Sequence, residues 1–267
     1  MVPIADVADP RLDDYRNIPD PELLRERGIF IAEGRHVVRR LLESTRFRTR
    51  SLLLTSPAHT SLEDVLAHKS DVPVYVVGPD VMNAVAGFHI HRGCLAVGER
   101  PQHVPWRNLV RDARLVVVLE RVSNADNVGG IFRNAAAFGV EAVLLGPACA
   151  DPLYRKTIRT SMAASLRVPF ARFDEWPADL QHLRASGFTL IALAPGVEQP
   201  FSAADVAQPE RAAFLLGHEG EGLSREALEA ADVRARIRMT DGVDSLNVAT
   251  AAAIALYEWS RRQNRNA

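Results

Sequence analysis

Residues 213–259, AFLLGHEGEGLSREALEAADVRARIRMTDGVDSLNVATAAAIALYEW, decide the fold. An apolar run, Ala213–Leu216, meets a glycine-rich turn, Gly217-His218-Glu219-Gly220-Glu221-Gly222. A second apolar segment, Ile237–Met239, meets the loop Thr240–Asp244, and a long helix follows from Ser245. Two strands ending in glycine-bearing loops, with a helix beginning at the second, place a ligand site at the carboxyl edge of a sheet. Ser245 is a fitting N-cap, and Asp244 before it favours the positive helix end. From Leu246 to Leu256 the helix is apolar almost all round, so it must be covered on most sides, by sheet, by loops and by a second subunit.

Upstream of this stretch the same grammar repeats. The strand Leu115–Leu119 opens an α/β unit, and Ala142–Leu145, Thr189–Ala194, Ala213–Leu216 and Arg236–Met239 are its further strands; the helices between them begin with Val128–Phe138. A smaller α/β unit precedes it. Asp20 caps a short helix with Pro21 at its first position and Gly28 past its end. Ile29–Ala32, Leu52–Thr55, Val74–Val77 and Cys94–Val97 read as strands, and Arg35–Leu42, Leu62–His68 and Pro79–Phe88 as helices. Residues 1–18 form an extended lead-in, and the polar tail Arg261–Ala267 frays. The Pro-bearing segment Gly98–Pro105 is a linker. The expected organisation is therefore an extension over 1–18, a domain over 19–98, a linker over 99–105 and a second domain over 106–267.

Composition narrows the function. The 267 residues are 47% hydrophobic and 24% charged, ordinary for a globular chain long enough for two domains. A net charge of −1 leaves no overall basic field, so any nucleic-acid surface is local. Of the 32 basic residues all but Lys69 and Lys156 are arginine, which codon bias explains as easily as function. Cys94 and Cys149 are far apart and form neither a disulfide framework nor a metal-ligand spacing, so a reducing cytoplasm is the expected home. No apolar run approaches membrane-spanning length.

Local basic patches do occur. Eight arginines (Arg25, Arg27, Arg35, Arg39, Arg40, Arg46, Arg48, Arg50) face only three acids between Arg25 and Arg50, and Arg35 and Arg39 share a helix face. Arg155, Lys156, Arg159 and Arg167 form a second cluster. Either can contact phosphates, or be a solvated helix face. A strand–loop–helix run, Leu119 to Arg133, carries Asn127 at the loop-to-helix junction, Gly129 and Gly130 where a backbone can approach, and Arg133 one and two-thirds turns further on. A dinucleotide site fits it poorly: the G-x-G-x-x-G spacing is missing, and no acid ends the next strand.

Three blocks stand in order: N-x-G-x-x-x-R from Asn127 to Arg133, G-x-E-x-x-G from Gly217 to Gly222, and Ile237-x-Met239 followed by Ser245-Leu246-Asn247-Val248. Together they resemble the SpoU (TrmH-like) branch of the SPOUT RNA methyltransferases. Phe30-Ile31-Ala32-Glu33-Gly34 with the helix after it is similar to that family's small L30e-like substrate-binding domain, which extends the likeness from about Asp9 to near the end of the chain. The resemblance implies a C-terminal SPOUT α/β domain with a deep trefoil knot, an exception to unthreaded topology. It further implies a homodimer, S-adenosylmethionine as methyl donor, and transfer to a ribose 2′-oxygen of rRNA or tRNA. Carried over by position, Gly217, Ile237 and Leu246, with Met239 beside them, line the cofactor pocket; Asn127, Arg133, Glu219, Ser245 and Asn247 form the polar catalytic set. Arg35, Arg39, Arg155 and Arg159 are the residues expected on RNA. This sequence departs from the family pattern at Asn124-Ala125 (usually Asp-Pro), Arg238 (usually Pro), Ala163 (commonly Gly) and Arg92 (commonly Gln). A non-catalytic RNA-binding paralogue of the same fold is the rival reading, opposed by retention of the polar set.

Such a reaction needs no metal, because a methyl on a sulfonium is already activated. His89 and His91, like His218 beside Glu219, read as structural rather than as ligands. What remains is to place the 2′-oxygen in line and to stabilise its developing charge. Arg133 suits the charge; as a guanidinium it stays protonated and is no base. Glu219 orients Arg133 or accepts a proton, and Asn127, Ser245 and Asn247 orient groups by hydrogen bonds.

Overall fold

The computed structural model describes residues 1–16, 18–87, 93–195, 209–240 and 242–263. The chain divides into two compact units: residues 1–102 with 153–166, and residues 103–152 with 167–267.

The first unit holds β1 (Val2–Pro3), α1 (Asp20–Glu26), β2 (Ile29–Glu33), α2 (Arg35–Leu42), β3 (Thr49–Leu54), α3 (Ser56–Thr60), α4 (Glu63–Leu66), β4 (Val74–Val76), α5 (Pro79–Ala86) and β5 (Cys94–Glu99). Its five strands run in the order β1-β4-β3-β5-β2, parallel from β1 to β3 and antiparallel through β5 to β2. The expected lead-in is only partly extended. Residues 10–15 form a 3-10 turn that buries Leu12 and Tyr15, and the Tyr15 hydroxyl hydrogen-bonds the Ser51 hydroxyl at 2.7 Å. Gly98 and Glu99, expected in the linker, belong to β5. Gly98 is needed there, because a Cβ on it would lie 2.3 Å from the Phe30 ring.

The second unit holds α6 (Trp106–Val110), β6 (Leu115–Leu119), α7 (Ala125–Ala137) and β7 (Ala142–Leu145). The next helix, α8 (Arg155–Thr160), falls in the first unit, where it packs on β2 and its Arg155 N–H donates to Asp20 Oδ2 at 2.8 Å. The second unit resumes with β8 (Phe170–Arg172), α9 (Ala178–Ala185), β9 (Thr189–Leu193), β10 (Ala212–Leu216), α10 (Arg225–Ala230), β11 (Val233–Ala235) and α11 (Val248–Gln263). Its six strands are all parallel, ordered β11-β9-β10-β6-β7-β8. A parallel sheet is covered on both faces, so its strands are near-continuous apolar runs; β6, β7 and β10 are buried throughout. One face, with Val116, Val118, Leu190 and Leu215, packs on Trp106, Leu180, Leu183 and Ala227 of α6, α9 and α10. On the other, Phe214 meets Trp259 of α11 edge-on at 6.0 Å.

Two expectations shift. The last strand is Val233–Ala235, in register with Ile191–Leu193, not Arg236–Met239. The final helix begins at Val248, not Ser245: Asn247 Oδ1 accepts the N–H groups of Ala249 (2.9 Å) and Thr250 (3.3 Å), the N-cap arrangement. That helix is also only partly covered within the chain, for Tyr257 remains half exposed.

Candidate active site

The site grows from the point where the strand order reverses. From β6 the chain steps outward to β7 and β8, then returns to β9 and β10 on the other side. The carboxyl ends of the neighbours β6 and β10 thus carry loops that run to opposite sides, the arrangement at which ligands bind in open α/β sheets. After β10 comes the glycine turn. His218 and Gly222 exchange backbone hydrogen bonds of 3.0 and 2.9 Å, folding the turn back on its root. A Cβ on Gly217 would lie 2.3 Å from the backbone of Gly222 and Leu223, so only glycine permits that closure. Glu120, a charged residue directly after the apolar β6, holds the chain just past the turn: its Oε2 accepts the Ser224 N–H at 2.8 Å, and the residue is buried. Arg121, in the left-handed region at φ 56°, pairs with Glu221 at 2.6 Å.

A pocket lies against this turn. Its walls are the ends of β9 (Leu193–Pro195) and β10, the turn itself, the stretch after β11 and the start of α11. Gly217, Ile237, Met239 and Leu246, expected to bind cofactor, all line it, as do Glu219 and Ser245. The space between the walls, open solvent at the mouth included, is about 740 Å³. Ile237 and Met239, past the end of the β-ladder, line the pocket. An apolar slot edged by backbone groups and a few polar side chains fits a purine nucleoside with an aliphatic tail, the chemistry of S-adenosylmethionine.

Beside the pocket the three sequence blocks meet in one hydrogen-bonded chain. Asn127 Nδ2 donates to Glu219 Oε1 at 2.7 Å, and Asn247 Nδ2 donates to Asn127 Oδ1 at 2.8 Å. The direction is forced. Asn247 Oδ1 is committed to the α11 backbone N–H groups, so its amide nitrogen must face Asn127. Asn127 accepts on its oxygen and therefore turns its own N–H toward the carboxylate. Asn127 lies in the first turn of α7, whose N-cap is Asn124, with Oδ1 accepting the Asp126 N–H at 2.8 Å. Further along α7, a Cβ on Gly130 would lie 2.9 Å from that of Ala249, and Asn134 Nδ2 donates to Ala249 O at 2.8 Å. The glycine sets the approach of the two helices.

The structure does not bring every expected residue to this chain of amides. Arg133 is exposed on α7, is not among the pocket walls, and has no hydrogen bond or ion pair with another described residue. Six residues on from Asn127 it lies ~9 Å further along the helix and about 120° around it. Ser245 lines the pocket, exposed, but caps no helix. The RNA candidates divide. Arg35 and Arg159 are exposed, whereas Arg39 is held by Asp64 through two bonds of 2.6 and 2.9 Å and by Ser61 O at 3.0 Å. The Arg155 side chain is only 15% exposed beside Asp20. His89, His91 and Arg92 lie outside the described residues, as do Phe88 and Asp241. Behind the site, burial pushes the Cys149 thiol up to about 11, so it stays protonated. Among the described residues no group of three or more His, Cys, Asp or Glu could hold a metal ion, and no helix is long and apolar enough to cross a membrane.

Sequence reasoning missed Glu120, Arg121 and the end of β9. A charge terminating an otherwise apolar strand was the signal for Glu120. Nothing local marks Leu193–Pro195.

Comparison with known proteins gives this geometry a family. Residues 114–257 match the model of the SpoU rRNA Methylase family. A protein of Mycobacterium tuberculosis (strain H37Rv) described as an uncharacterised tRNA/rRNA methyltransferase is 46% identical over 265 residues, covering 97% of this chain and 91% of that one. The 23S rRNA (guanosine(2553)-2′-O)-methyltransferase RlmP of Bacillus subtilis is 27% identical over 257 residues, covering 96% and 98%. The crystal structure of an AdoMet-bound rRNA methyltransferase from Sinorhizobium meliloti superposes with a TM-score of 0.82, covering 98% of this chain and 97% of that one at 24% identity. The match spans both the Asn127 block and the loops that close the pocket, and the chain belongs to the SpoU rRNA methylase family.

Proposed function

We propose that this chain transfers the methyl group of S-adenosylmethionine to a ribose 2′-oxygen of rRNA or tRNA, as a homodimer in the cytoplasm. The observation that carries the reading is the Glu219–Asn127–Asn247 chain set beside an apolar pocket closed by the glycine turn. The names of the similar proteins, an rRNA guanosine 2′-O-methyltransferase and an AdoMet-bound rRNA methyltransferase, support it.

In this reading Gly217, Ile237, Met239 and Leu246 hold the cofactor, which supplies a methyl group already activated on a cationic sulfur. The residues of the chain then have two tasks. The Glu219 carboxylate, aimed by the Asn127 N–H, holds or accepts the proton of the attacking hydroxyl. Asn247 fixes Asn127, so the direction of that hydrogen bond is preset and costs no reorganisation during transfer. Ser245, on the pocket wall, orients by hydrogen bond. The second task is stabilising the developing alkoxide and gripping phosphate, and Arg133 is suited to both. Exposed and outside the pocket of its own chain, it serves a homodimer in which the partner subunit's Arg133 completes the site. The half-exposed Tyr257 of α11 favours the same assembly. The path from the edge strand β11 back to α11, which packs on α7, fits the deep trefoil knot. RNA backbone is met by Arg35 and Arg159 of the first, L30e-like unit, while Arg39 and Arg155 keep their acidic partners.

The test is a map of 2′-O-methyl groups in total RNA from a deletion strain and its parent. One site is expected to lose its methyl and to regain it with the wild-type chain but not with Arg133→Ala. An unchanged map overturns the reading and leaves the non-catalytic paralogue standing.

A further inference from the structure

The glycine turn carries one side chain that neither the amide chain nor the apolar walls employ. His218 lines the pocket, half-buried. Its Nδ1 accepts two backbone N–H groups of its own loop, from Gly220 at 3.0 Å and Glu221 at 3.1 Å. Two donors on one ring nitrogen settle the tautomer: Nδ1 keeps its lone pair, and Nε2 carries the proton. The ring so held is a hydrogen-bond donor only. No described residue accepts from Nε2, and the backbone bridge to Gly222 pins the residue at the root of the turn.

We propose that His218 is a cofactor-binding residue whose Nε2–H donates to an acceptor atom of S-adenosylmethionine: a carboxylate oxygen, a ribose oxygen or a purine nitrogen. This rests on the pocket being the cofactor site. The other polar side chains on its walls leave the role open. Glu219 is an acceptor already engaged by Asn127, and Arg236 and Ser245 are exposed. A neutral donor also suits a ligand bearing a sulfonium, because it binds without adding a like charge. The ring is oriented before the ligand arrives, so little freedom is lost on binding.

Two substitutions separate the donor from the loop clasp. In His218→Asn, Oδ1 still accepts the N–H groups two and three residues on, as an Asx turn does, but nothing reaches the place of Nε2. In His218→Gln an amide N–H reaches that place while the clasp is lost. Affinity for S-adenosylmethionine and S-adenosylhomocysteine is measured by calorimetry, with the Tm of the free protein and with Leu246→Asp as the reference for a spoiled pocket. His218→Asn is expected to weaken both ligands by a similar factor, on the order of five- to tenfold, at wild-type Tm. His218→Gln is expected to bind more tightly than His218→Asn while melting lower. If His218→Asn binds both like the wild type while Leu246→Asp does not, the inference fails alone: the ring then only clasps the loop, or serves RNA. If Leu246→Asp also binds like the wild type, the pocket assignment fails first and takes this inference with it.

Discussion

The surface of the first unit and the site of the second use polar side chains in opposite ways. In the first, guanidinium groups meet carboxylates at the surface: Arg39 with Asp64, Arg50 with Asp14 and Glu99, Arg27 with Asp14. At the site of the second, the Glu219 carboxylate beside the pocket is held by two neutral amides whose donors and acceptors can be arranged in only one way. Exposed ion pairs are screened and tolerant of loss. A chain of amides anchored on a helix end transmits orientation, and losing one member leaves two others misdirected. The first unit can therefore drift in its charges, whereas the second cannot drift in its amides.

Glycines draw the contrast most sharply. Gly217→Ala forces a methyl to within 2.3 Å of backbone that cannot yield without opening the turn. Gly34 of the first unit, at φ 94°, has nothing within 4 Å of its missing Cβ. Gly217→Ala is expected to abolish measurable cofactor binding and to destabilise at the upper end of the roughly 1–3 kcal/mol seen for overpacking. Gly34→Ala is expected to cost only its backbone strain, about 1–3 kcal/mol for a conformation that glycine alone adopts readily, with cofactor affinity intact. Urea unfolding and calorimetry decide. Wild-type binding by Gly217→Ala would mean that the closure of the turn does not shape the pocket.

The amide chain comes next in size. Asn127→Ala leaves Glu219 unaimed and the Asn247 N–H without its acceptor, and methyl transfer is expected to fall on the order of a hundredfold, the lower range for a positioned proton acceptor. Asn127→Asp is the sharper probe. A second carboxylate against Glu219 disfavours ionisation of either, so the shared proton is held to higher pH. Since the ionised form of Glu219 is the useful one, the acid limb of the pH–rate profile is expected to move upward. A profile that stays in place would remove Glu219 from the proton's path.

What could be read from the chain follows the same division. Strands buried on both sides announce themselves as apolar runs, so β6, β7 and β10 were legible almost to the residue. Short strands were not. Phe170–Arg172 has three residues with partly exposed ends, and its pairing with Val143–Leu145 exists only in three dimensions. The apolar pattern of Ile237–Met239 resembles a strand but serves the pocket, while the ladder is made by Val233–Ala235, with the charged Arg234 at its centre. Ser245 and Asn247 are equally good cap types, and only the position of α11 against α7 selects Asn247. The three motif blocks told which residues matter. That Asn127 bridges the other two, 92 and 120 residues away, needed the fold.

The smallest effects separate arginines that the sequence could not tell apart. Arg39 and Arg35 lie one turn apart on α2, yet Arg39 is clasped by Asp64 and Ser61 O while Arg35 is exposed. A guanidinium already neutralised releases no counterion from RNA unless it first leaves its carboxylate. Arg39→Ala is therefore expected to leave both RNA affinity and its salt dependence at wild-type values, and to change stability little, as exposed ion pairs do. Arg35→Ala and Arg159→Ala are each expected to lower the slope of log K against log salt by about one, weakening all RNA sequences alike. Filter binding over a salt series measures both. Should Arg39→Ala lower the slope as much as Arg35→Ala, the clasp must open on RNA, and the contrast between a settled first unit and a poised second one would narrow to the pocket alone.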